Sequence, residues 1–394
     1  MSRRVGLFLG VTPHMGGVFQ YSQALLRAVE ALPRERFDPV VCYTDPVWAE
    51  PLGGTGLSAF RAPAARWSLG LGVALTCSGL PVSWWRRLAA PLLDPLARRL
   101  RRERCELWVF TAYSCVCYQM PVPAVGIIHD LMHRYERRFP KDFPAGTYAW
   151  RERVFERMVR CTQALLVDSE LGRRQVVESY GADPSRIQPL PFIASPQAVA
   201  AEPGDGFDKR VPLPQKFIFY PSRFWEHKNH ARLIRAVGRL RRELPDIVLV
   251  LPGSQSRLHE DCLRLAAQLG LGDHIRFPGY VSQGDLAEMY RRALAMVMPT
   301  FFGPTNIPPL EAFALGCPVA VSDIYGMPEQ VGDAALRFDP ESVESIADAI
   351  RRLWTDDRLC AELVQRGRER AAGWGPEQFN ARFHEIIDAV LATP

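Results

Sequence analysis

Short apolar runs alternate along the chain with segments whose apolar residues recur every three to four positions. The runs are too uniformly apolar for half-exposed strands, so they predict buried strands of parallel sheets. The segment after the first run carries Val18, Tyr21, Leu25 and Val29 on one helical face and completes a strand-helix unit. Strands of the first half are predicted at residues 5–9, 39–43, 107–111, 124–128 and 164–167.

A segment rich in proline, glycine and charge interrupts this alternation at residues 196–214 and predicts a linker. It separates an N-terminal domain, 1–195, from a C-terminal domain, 215–375, and a last helix, 376–394, is predicted to pack back on the N-terminal domain. The pattern predicts an α/β protein of two doubly wound, Rossmann-like domains facing across a cleft, with ligands at the strand C-termini. Strands of the second half are predicted at residues 217–220, 247–251, 275–277, 296–298 and 319–321.

The composition fits a globular protein. Of the 394 residues, 47% are hydrophobic and 23% charged, which excludes general disorder and disfavours a multi-span membrane protein. The net charge of +5 is modest, so no nucleic-acid partner is predicted. Nine cysteines occur without a CxxC pair. They predict reduced thiols and a cytoplasmic location.

Several common motifs are absent. The first strand is not followed by GxGxxG, and the chain contains no phosphate-loop, HExxH or GxSxG motif. It also contains no Asp-x-Asp pair, which many transferases use to hold a divalent metal on a nucleotide diphosphate. We therefore predict no metal and no cofactor, and expect cationic side chains and helix dipoles to neutralise any diphosphate.

A pair of glycines follows the first predicted strand. Gly16 and Gly17 stand directly before the amphipathic helix. Glycine lets a backbone approach a ligand closely, and the N–H groups of a helix start favour an anion. We predict that both glycines contact an anionic ligand, with a plain tight turn as the alternative.

Two cations lie close together after the first strand of the second half. The sequence YPSRFWEHKNH, at 220–230, places Ser222, Arg223 and Lys228 in a strand-to-helix loop. Arginine offers a planar fork, and lysine a point charge, to the same phosphate cluster. We predict that Arg223 and Lys228 bind a diphosphate; two solvated loop cations are the alternative.

The segment 299–316, PTFFGPTNIPPLEAFALG, predicts a helix that begins at its paired prolines and ends at its last glycine. Thr305, Asn306 and Ile307 would then present donors to a sugar or phosphate at the helix start. Glu311, in the first turn, is placed to accept hydrogen bonds from two vicinal ribose hydroxyls. Alternatively, the Glu311 carboxylate only complements the helix dipole.

With these residues in view, the chain resembles glycosyltransferase family 4, whose members are retaining, nucleotide-sugar-dependent enzymes of the GT-B fold. The resemblance covers nearly all of the second half. The family signature has two glutamates separated by seven residues. Glu311 matches the second, which resembles the ribose-binding residue, whereas the first would fall at Gly303. Because this chain lacks the first glutamate, we expect Thr305 or Asn306 to take over the contact to the donor sugar.

Two further segments carry the resemblance. Tyr280 and Val281 match the segment that holds the nucleotide base by backbone contacts. In the first half, where the resemblance is thinner, His129 ends a predicted strand and matches a position beside the reacting sugar. The resemblance therefore implies a catalytic role for His129, with a hydrogen-bonded structural histidine as the alternative.

One segment remains outside this scheme. Residues 67–85 carry no charge, and an arginine-rich stretch follows to residue 104. Glycines and a proline argue against a spanning helix. We weigh a peripheral contact with the inner face of the membrane, or with the acceptor, through residues 67–104 against ordinary packing on the first domain.

The predicted function is a metal-independent hexosyl transfer from a nucleotide-diphosphate donor, with GDP-mannose slightly favoured by the resemblance, to an oligosaccharide or lipid-linked acceptor in surface polysaccharide biosynthesis. Arg223 and Lys228 would stabilise the leaving diphosphate. One alternative is a catalytically weak sugar-nucleotide-binding scaffold, which Gly303 could signal. Another is a sugar-nucleotide 2-epimerase on a similar fold, although no additional acid and base residues are identified for it.

Overall fold

The computed structural model describes residues 2–62, 66–139, 142 and 145–393. The chain forms two compact units, each built around one parallel sheet. The first unit comprises 1–133, 145–191 and 376–394, and the second comprises 134–144 and 192–375.

The first unit contains a seven-stranded sheet in which every pairing is parallel. Its strands are β1 Arg3–Leu9, β2 Phe37–Tyr43, β3 Ser58–Arg61, β4 Leu107–Phe110, β5 Ala124–Ile128, β6 Ala164–Val167 and β7 Ile187–Pro189. The strand order is β3-β2-β1-β4-β5-β6-β7, so successive strands are added on one side of β1 up to β3 and on its other side from β4 onward. The central strands β4, β5 and β6 are buried along their whole length, which explains their uniformly apolar sequences.

Helices connect the strands of the first unit. They are α1 Gly17–Glu30, α2 Ala49–Gly53, α3 Arg66–Cys77, α4 Val82–Trp84, α5 Ala90–Leu93, α6 Pro95–Arg102, α7 Cys115–Gln119, α8 Met132–Tyr135, α9 Thr147–Cys161 and α10 Glu170–Tyr180, with α8 running into the second unit. A π-helical turn, Trp85–Ala89, joins α4 to α5.

The second unit contains a six-stranded parallel sheet. Its strands are β8 Ile218–Phe219, β9 Leu249–Pro252, β10 Ile275–Gly279, β11 Ala295–Met298, β12 Val319–Ser322 and β13 Leu336–Phe338, in the order β10-β9-β8-β11-β12-β13. Its helices are α11 Pro196–Val199, α12 Phe207–Arg210, α13 His230–Leu240, α14 Arg257–Gln268, α15 Gln283–Arg292, α16 Ile307–Leu315, α17 Met327–Val331, α18 Val343–Thr355 and α19 Asp357–Gly373.

The last helix, α20 Pro376–Ala392, returns to the first unit. It buries Phe379, Phe383 and Ile387 on one apolar face. The ring of Phe379 meets Tyr21 of α1 edge-on at 5.7 Å, and His384 Nε2 lies 2.9 Å from the carbonyl oxygen of Ala28. These contacts attach the C-terminus of the chain to its first helix.

The predicted fold class is confirmed: both sheets are parallel and have the doubly wound, Rossmann-like strand order. The unit boundary differs from the expected linker, because residues 196–214 lie inside the second unit and form α11 and α12 there. Residues 134–144 also lie in the second unit, although they are far from it in sequence. Strands β3, β7 and β13 were not predicted.

Candidate active site

In the second sheet, the order in which strands are added changes sides between the adjacent strands β8 and β11. The two loops that follow these strands carry most of the predicted donor-side residues. Such a switch point opens a crevice at the strand C-termini, where ligands bind in doubly wound sheets. Arg223 is exposed in the loop after β8, and Lys228 is half-buried at the end of a short 3-10 turn. The loop therefore presents two cations at this point.

Asn229 fixes the loop that holds Lys228. Its backbone has φ of 60°, a left-handed conformation that asparagine tolerates. Its side-chain Nδ2 donates hydrogen bonds of 2.9 Å to the carbonyl oxygens of Pro299 and Pro340. The backbone N–H of Phe301 also donates to the carbonyl oxygen of His227 at 2.8 Å. The loops after β8 and β11 are therefore joined by buried hydrogen bonds.

Asp142 holds the same loop from another part of the second unit. Its carboxylate accepts hydrogen bonds from the backbone N–H groups of Glu226 and His227, both at 3.0 Å, and lies 2.6 Å from His227 Nδ1. Burial disfavours ionisation of this carboxyl, but the hydrogen bonds outweigh burial and lower the pKa of Asp142. Asp142 is thus an ionised clamp on the turn before Lys228.

His230 adds no positive charge beside Lys228. Its ring stacks on Phe224 with centroids 4.6 Å apart and is almost completely buried. Burial, helped by the charge of Lys228, lowers the pKa of His230 to about 3. The His230 imidazole is therefore neutral at physiological pH.

The start of α16 lies in the loop region after β11, as predicted. Asn306 is the N-cap and Ile307 the first helical residue. The next two positions are prolines, which have no N–H group, so within the first turn only Ile307 and Leu310 carry one. Thr305 Oγ1 is buried and has no hydrogen-bond partner among the described residues. The helix start offers few backbone donors, which leaves much of the charge neutralisation to side chains.

Asn306 connects the two loops of the site. Its Oδ1 lies 3.5 Å from Lys228 Nζ, at the limit of a hydrogen bond. Gln330 fixes the Asn306 backbone from both sides, because its Oε1 accepts from Asn306 N–H at 2.9 Å and its Nε2 donates to the Asn306 carbonyl at 2.6 Å. The Asn306 side chain is therefore held beside the ammonium group.

The Asn306 side chain occupies the space that a side chain at position 303 would take. Gly303 has φ of 148°, and a Cβ added to it would lie only 2.1 Å from Asn306 Nδ2. A side chain at position 303 thus cannot coexist with Asn306 in its present position. The polar group in this part of the site is an amide, where the family signature has a carboxylate.

Glu311 is buried and its orientation is fixed by Tyr290. The Tyr290 hydroxyl donates to Glu311 Oε2 at 3.1 Å and lies 3.3 Å from the carbonyl oxygen of Pro308. Burial and the Glu311 charge raise the pKa of Tyr290 well above its usual value, so the hydroxyl keeps its proton. Tyr290 therefore positions this carboxylate. Glu311 was predicted in the first turn, but α16 begins at Ile307, so the residue lies in the second turn.

The loops after β9 and β10 meet beside the loop after β8. Gly253 N–H donates to the carbonyl oxygen of Gly279 at 2.8 Å. A Cβ at Gly253 would lie 2.9 Å from the carbonyl oxygen of Ser222, so the close approach requires glycine. Tyr280 follows with 81% of its surface exposed, and Val281 packs on the hydrophobic core. Exposed backbone and an exposed aromatic ring thus border the strand ends.

The remaining predicted residues, Gly16, Gly17 and His129, belong to the first unit. Gly16 is the N-cap of α1, with φ of 59°, and Gly17 is its first residue. His129, at the end of β5, is buried, with Nδ1 3.1 Å from Asp168 Oδ1, and its ring meets Tyr21 of α1 edge-on at 5.2 Å. Burial raises the pKa of Asp168, although His129 opposes the shift. α1 and the end of β5 are therefore adjacent.

The neighbours of His129 have separate partners. Asp130 accepts from Arg151 Nη2 at 2.6 Å and from Met132 N–H at 2.8 Å. His133 Nε2 lies 2.7 Å from Glu152, and burial lowers the pKa of His133 to about 4. Within the described part of the chain, no three histidine, cysteine or acidic side chains are grouped closely enough to hold a metal ion.

The structure thus brings Lys228 and Asn306 together and places the other donor-side residues on neighbouring strand ends. Sequence reasoning missed the residues that hold them. These are Asp142, Asn229, Tyr290 and Gln330, whose contacts appear only on folding. Of these four residues, only Asn229 could have been suspected from the local sequence, because asparagine directly before a predicted helix is a common helix cap.

Comparison with known proteins agrees with this geometry. Residues 205–370, which hold the donor-side set, match the family model described as "Glycosyl transferases group 1". The chain is 26% identical over 295 residues to O-antigen chain mannosyltransferase B of Escherichia coli, covering 70% of this chain and 74% of that protein.

It is also 27% identical over 253 residues to a D-inositol 3-phosphate glycosyltransferase of Kineococcus radiotolerans, covering 59% of this chain and 57% of that protein. Among solved structures, Anabaena HepE in complex with UDP and glucose superposes with a TM-score of 0.69 at 15% identity, covering 98% of this chain and 99% of that one. The fold is that of GT-B glycosyltransferases. The relatives indicate a glycosyltransferase, and the match to the group 1 family is limited to residues 205–370.

Proposed function

We propose that the protein is a retaining family 4 hexosyltransferase that takes its sugar from a nucleotide diphosphate, with GDP-mannose favoured. The observation that carries the proposal is the meeting of Lys228 with Asn306 at the switch point of the second sheet, with Arg223 on the same loop and Glu311 on the helix that Asn306 caps. The mannosyltransferase relative supports mannose as the donor sugar. Because HepE binds UDP and glucose, uridine-diphosphate sugars are the alternative donors to be tested.

Transfer in this proposal is electrostatic and positional. Negative charge develops on the diphosphate as the bond between the sugar and the phosphate oxygen breaks. Arg223 and Lys228 stabilise that charge, because a charge-assisted hydrogen bond strengthens as its acceptor becomes more negative. Thr305, Asn306 and the N–H of Ile307 bind the phosphates or the sugar. Glu311 accepts from the ribose hydroxyls.

The remaining residues complete the donor and acceptor sites of the proposal. Ser222, Tyr280 and Val281 lie where the base would rest against backbone groups. In the first unit, we assign ligand binding to Gly16 and Gly17 and a catalytic role to His129, whose ring is fixed by Asp168.

The acceptor is an oligosaccharide or a lipid-linked sugar of surface polysaccharide biosynthesis, a class supported by the O-antigen relative. We place the enzyme in the cytoplasm, peripheral to the inner face of the membrane. No helix within the described ranges is long and apolar enough to cross a bilayer.

A donor panel tests the proposal. Purified full-length protein is incubated with GDP-mannose, UDP-glucose and other nucleotide sugars, and released nucleoside diphosphate is measured with and without saccharide acceptors. We expect turnover with one donor class, with GDP-mannose first. Binding of a donor without any release would favour the scaffold alternative, and conversion of the donor sugar without an acceptor would favour an epimerase.

Arg223→Ala and Lys228→Ala are each expected to lower kcat by about tenfold or more, because each removes a cation that acts on the transition state. Steady-state kinetics with the donor identified above measures the effect. Arg242→Ala and Lys209→Ala, which alter exposed cations of the same unit, serve as matched controls and should leave kcat unchanged. Wild-type rates in both site variants would refute the diphosphate assignment.

Glu311→Gln is expected to weaken nucleotide binding about five- to tenfold, because a neutral amide accepts ribose hydroxyls less strongly than a carboxylate does. Isothermal titration with GDP and UDP measures the affinity, and circular dichroism checks the fold. Tyr290→Phe is the companion variant, since it removes the hydroxyl that orients Glu311 and keeps the carboxylate. Equal affinities for wild type and Glu311→Gln would leave Glu311 with a purely structural role.

Asn306→Asp is expected to weaken nucleoside diphosphate binding about tenfold or more. The new carboxylate would pair with Lys228, 3.5 Å away, and repel the phosphates. Titration with the unphosphorylated nucleoside is the internal control, and its affinity should stay the same. An equal loss for nucleoside and diphosphate would show that the substitution disturbs the whole pocket and not the phosphate site.

Transfer in excess EDTA is expected to proceed within about twofold of the untreated rate, because cationic side chains do the work that a divalent ion does in other transferases. The measurement is product formation before and after chelation, with circular dichroism to confirm the fold. Complete loss of transfer that Mg²⁺ or Mn²⁺ restores would overturn the metal-independent mechanism.

A further inference from the structure

Apolar side chains are exposed in one segment of the first unit far more than elsewhere. Of the fourteen large hydrophobic residues that are exposed in the described chain, seven lie between residues 67 and 93. Leu92 is 75% exposed, Trp67 60% and Leu88 55%. Concentrated apolar exposure on a folded unit marks an interaction surface, whereas isolated exposed residues do not.

The exposed apolar side chains of this segment are not part of its buried core. Along the helical run 82–93, Trp85, Ala89 and Ala90 face inward, while Trp84, Leu88 and Leu92 face outward. Trp85 packs against α3, where a Cβ at Gly72 would lie 2.7 Å from its ring. Ser68 Oγ of α3 donates to Asp94 Oδ2 at 2.7 Å and attaches α3 to the start of α6. The inner face is thus packed and the outer face is a separate apolar ridge.

Positive charge accompanies the ridge. Residues 66–104 contain eight arginines and two acidic residues, a formal charge of +6 against +5 for the whole chain. Both acidic groups are engaged: Asp94 is buried and caps α6, and Glu103 pairs with Arg4 and Arg99. Within the described ranges, no carboxylate lies within 4.0 Å of Arg87 or Arg101.

A cavity of about 440 Å³ lies beside the ridge and is lined by Ser83, Arg86, Arg87, Pro91, Arg101 and Pro121. Arg86 has a structural task there, because it donates to the carbonyl oxygens of Met120, Val122 and Cys161 at 2.8 to 3.0 Å. Arg87 and Arg101 remain as cations for a ligand. The cavity therefore suits an anionic group whose other end is apolar.

We propose that this surface docks on an anionic phospholipid bilayer. Trp84, Leu88 and Leu92 enter the interface between headgroups and acyl chains, and Arg87 and Arg101 bind lipid phosphates at the cavity. Amphipathic helices with an apolar ridge and flanking arginines bind membranes by this combination of burial and charge. The inference deepens the peripheral location given under Proposed function and names the residues and the lipid class that produce it.

Co-sedimentation of the full chain with vesicles tests the proposal, using phosphatidylcholine with and without phosphatidylglycerol. We expect binding about tenfold or more tighter to the anionic vesicles. Leu88→Ser with Leu92→Ser, and separately Arg87→Gln with Arg101→Gln, should each weaken that binding about tenfold. Leu263→Ser with Arg242→Gln, at exposed positions of the second unit, is the matched control and should bind as wild type does.

Three outcomes would overturn the proposal: equal sedimentation with neutral and anionic vesicles, wild-type binding by both site variants, or no vesicle binding together with saturable binding of inorganic phosphate that needs Arg87 and Arg101. The last would assign the cavity to a free anion. Donor turnover without vesicles is measured in parallel and should be unchanged in these variants. If the wild-type protein binds anionic vesicles but turns over no donor, that result counts against the proposed function and not against this surface.

Discussion

The two hydrogen bonds donated by the Asn229 amide determine the geometry of the donor side. They join the end of the loop after β8 to the carbonyl of Pro299 after β11 and to that of Pro340 after β13. Both bonds are buried, so breaking them would leave carbonyl groups unsatisfied in a dry environment. Lys228 precedes Asn229 directly and so has little freedom to leave the start of α16. The position of the principal cation follows from this one side chain.

The charge of the site follows from a second constraint, the sharing of space by Gly303 and Asn306. A Cβ at position 303 would lie 2.1 Å from Asn306 Nδ2, and the Asn306 amide oxygen lies 3.5 Å from Lys228 Nζ. Paired prolines remove two N–H donors from the first turn of α16, and burial keeps His230 neutral. We assign the diphosphate to Arg223 and Lys228, which lie on the same loop.

The sequence by itself determined the class of fold and the local frame of the site. Strands such as β5 and β6 are buried on both faces, so their apolar runs could be recognised at their true boundaries. Both ends of α16 could also be predicted, because prolines favour the first turn of a helix and glycine favours the position after its last residue. Gly316 follows the helix with φ of 72°. Three of the four edge strands, β3, β7 and β13, were missed. In β3, Ser58 and Arg61 face solvent, and a strand that pairs on one side only carries little apolar pattern.

Only the tertiary structure decided which residues hold the site. Asp142 and His227 are 85 residues apart, Lys228 and Asn306 are 78 apart, and Glu311 meets Tyr290 across two helices. Hydrogen bonds between such distant residues depend on strand order and loop path, which hydrophobic periodicity does not encode. The exposed apolar ridge is similar. The sequence showed an uncharged stretch beside arginines, but the packing of Trp85 decided which side chains face outward. The chain thus encodes local elements directly, and long-range contacts only through the completed fold.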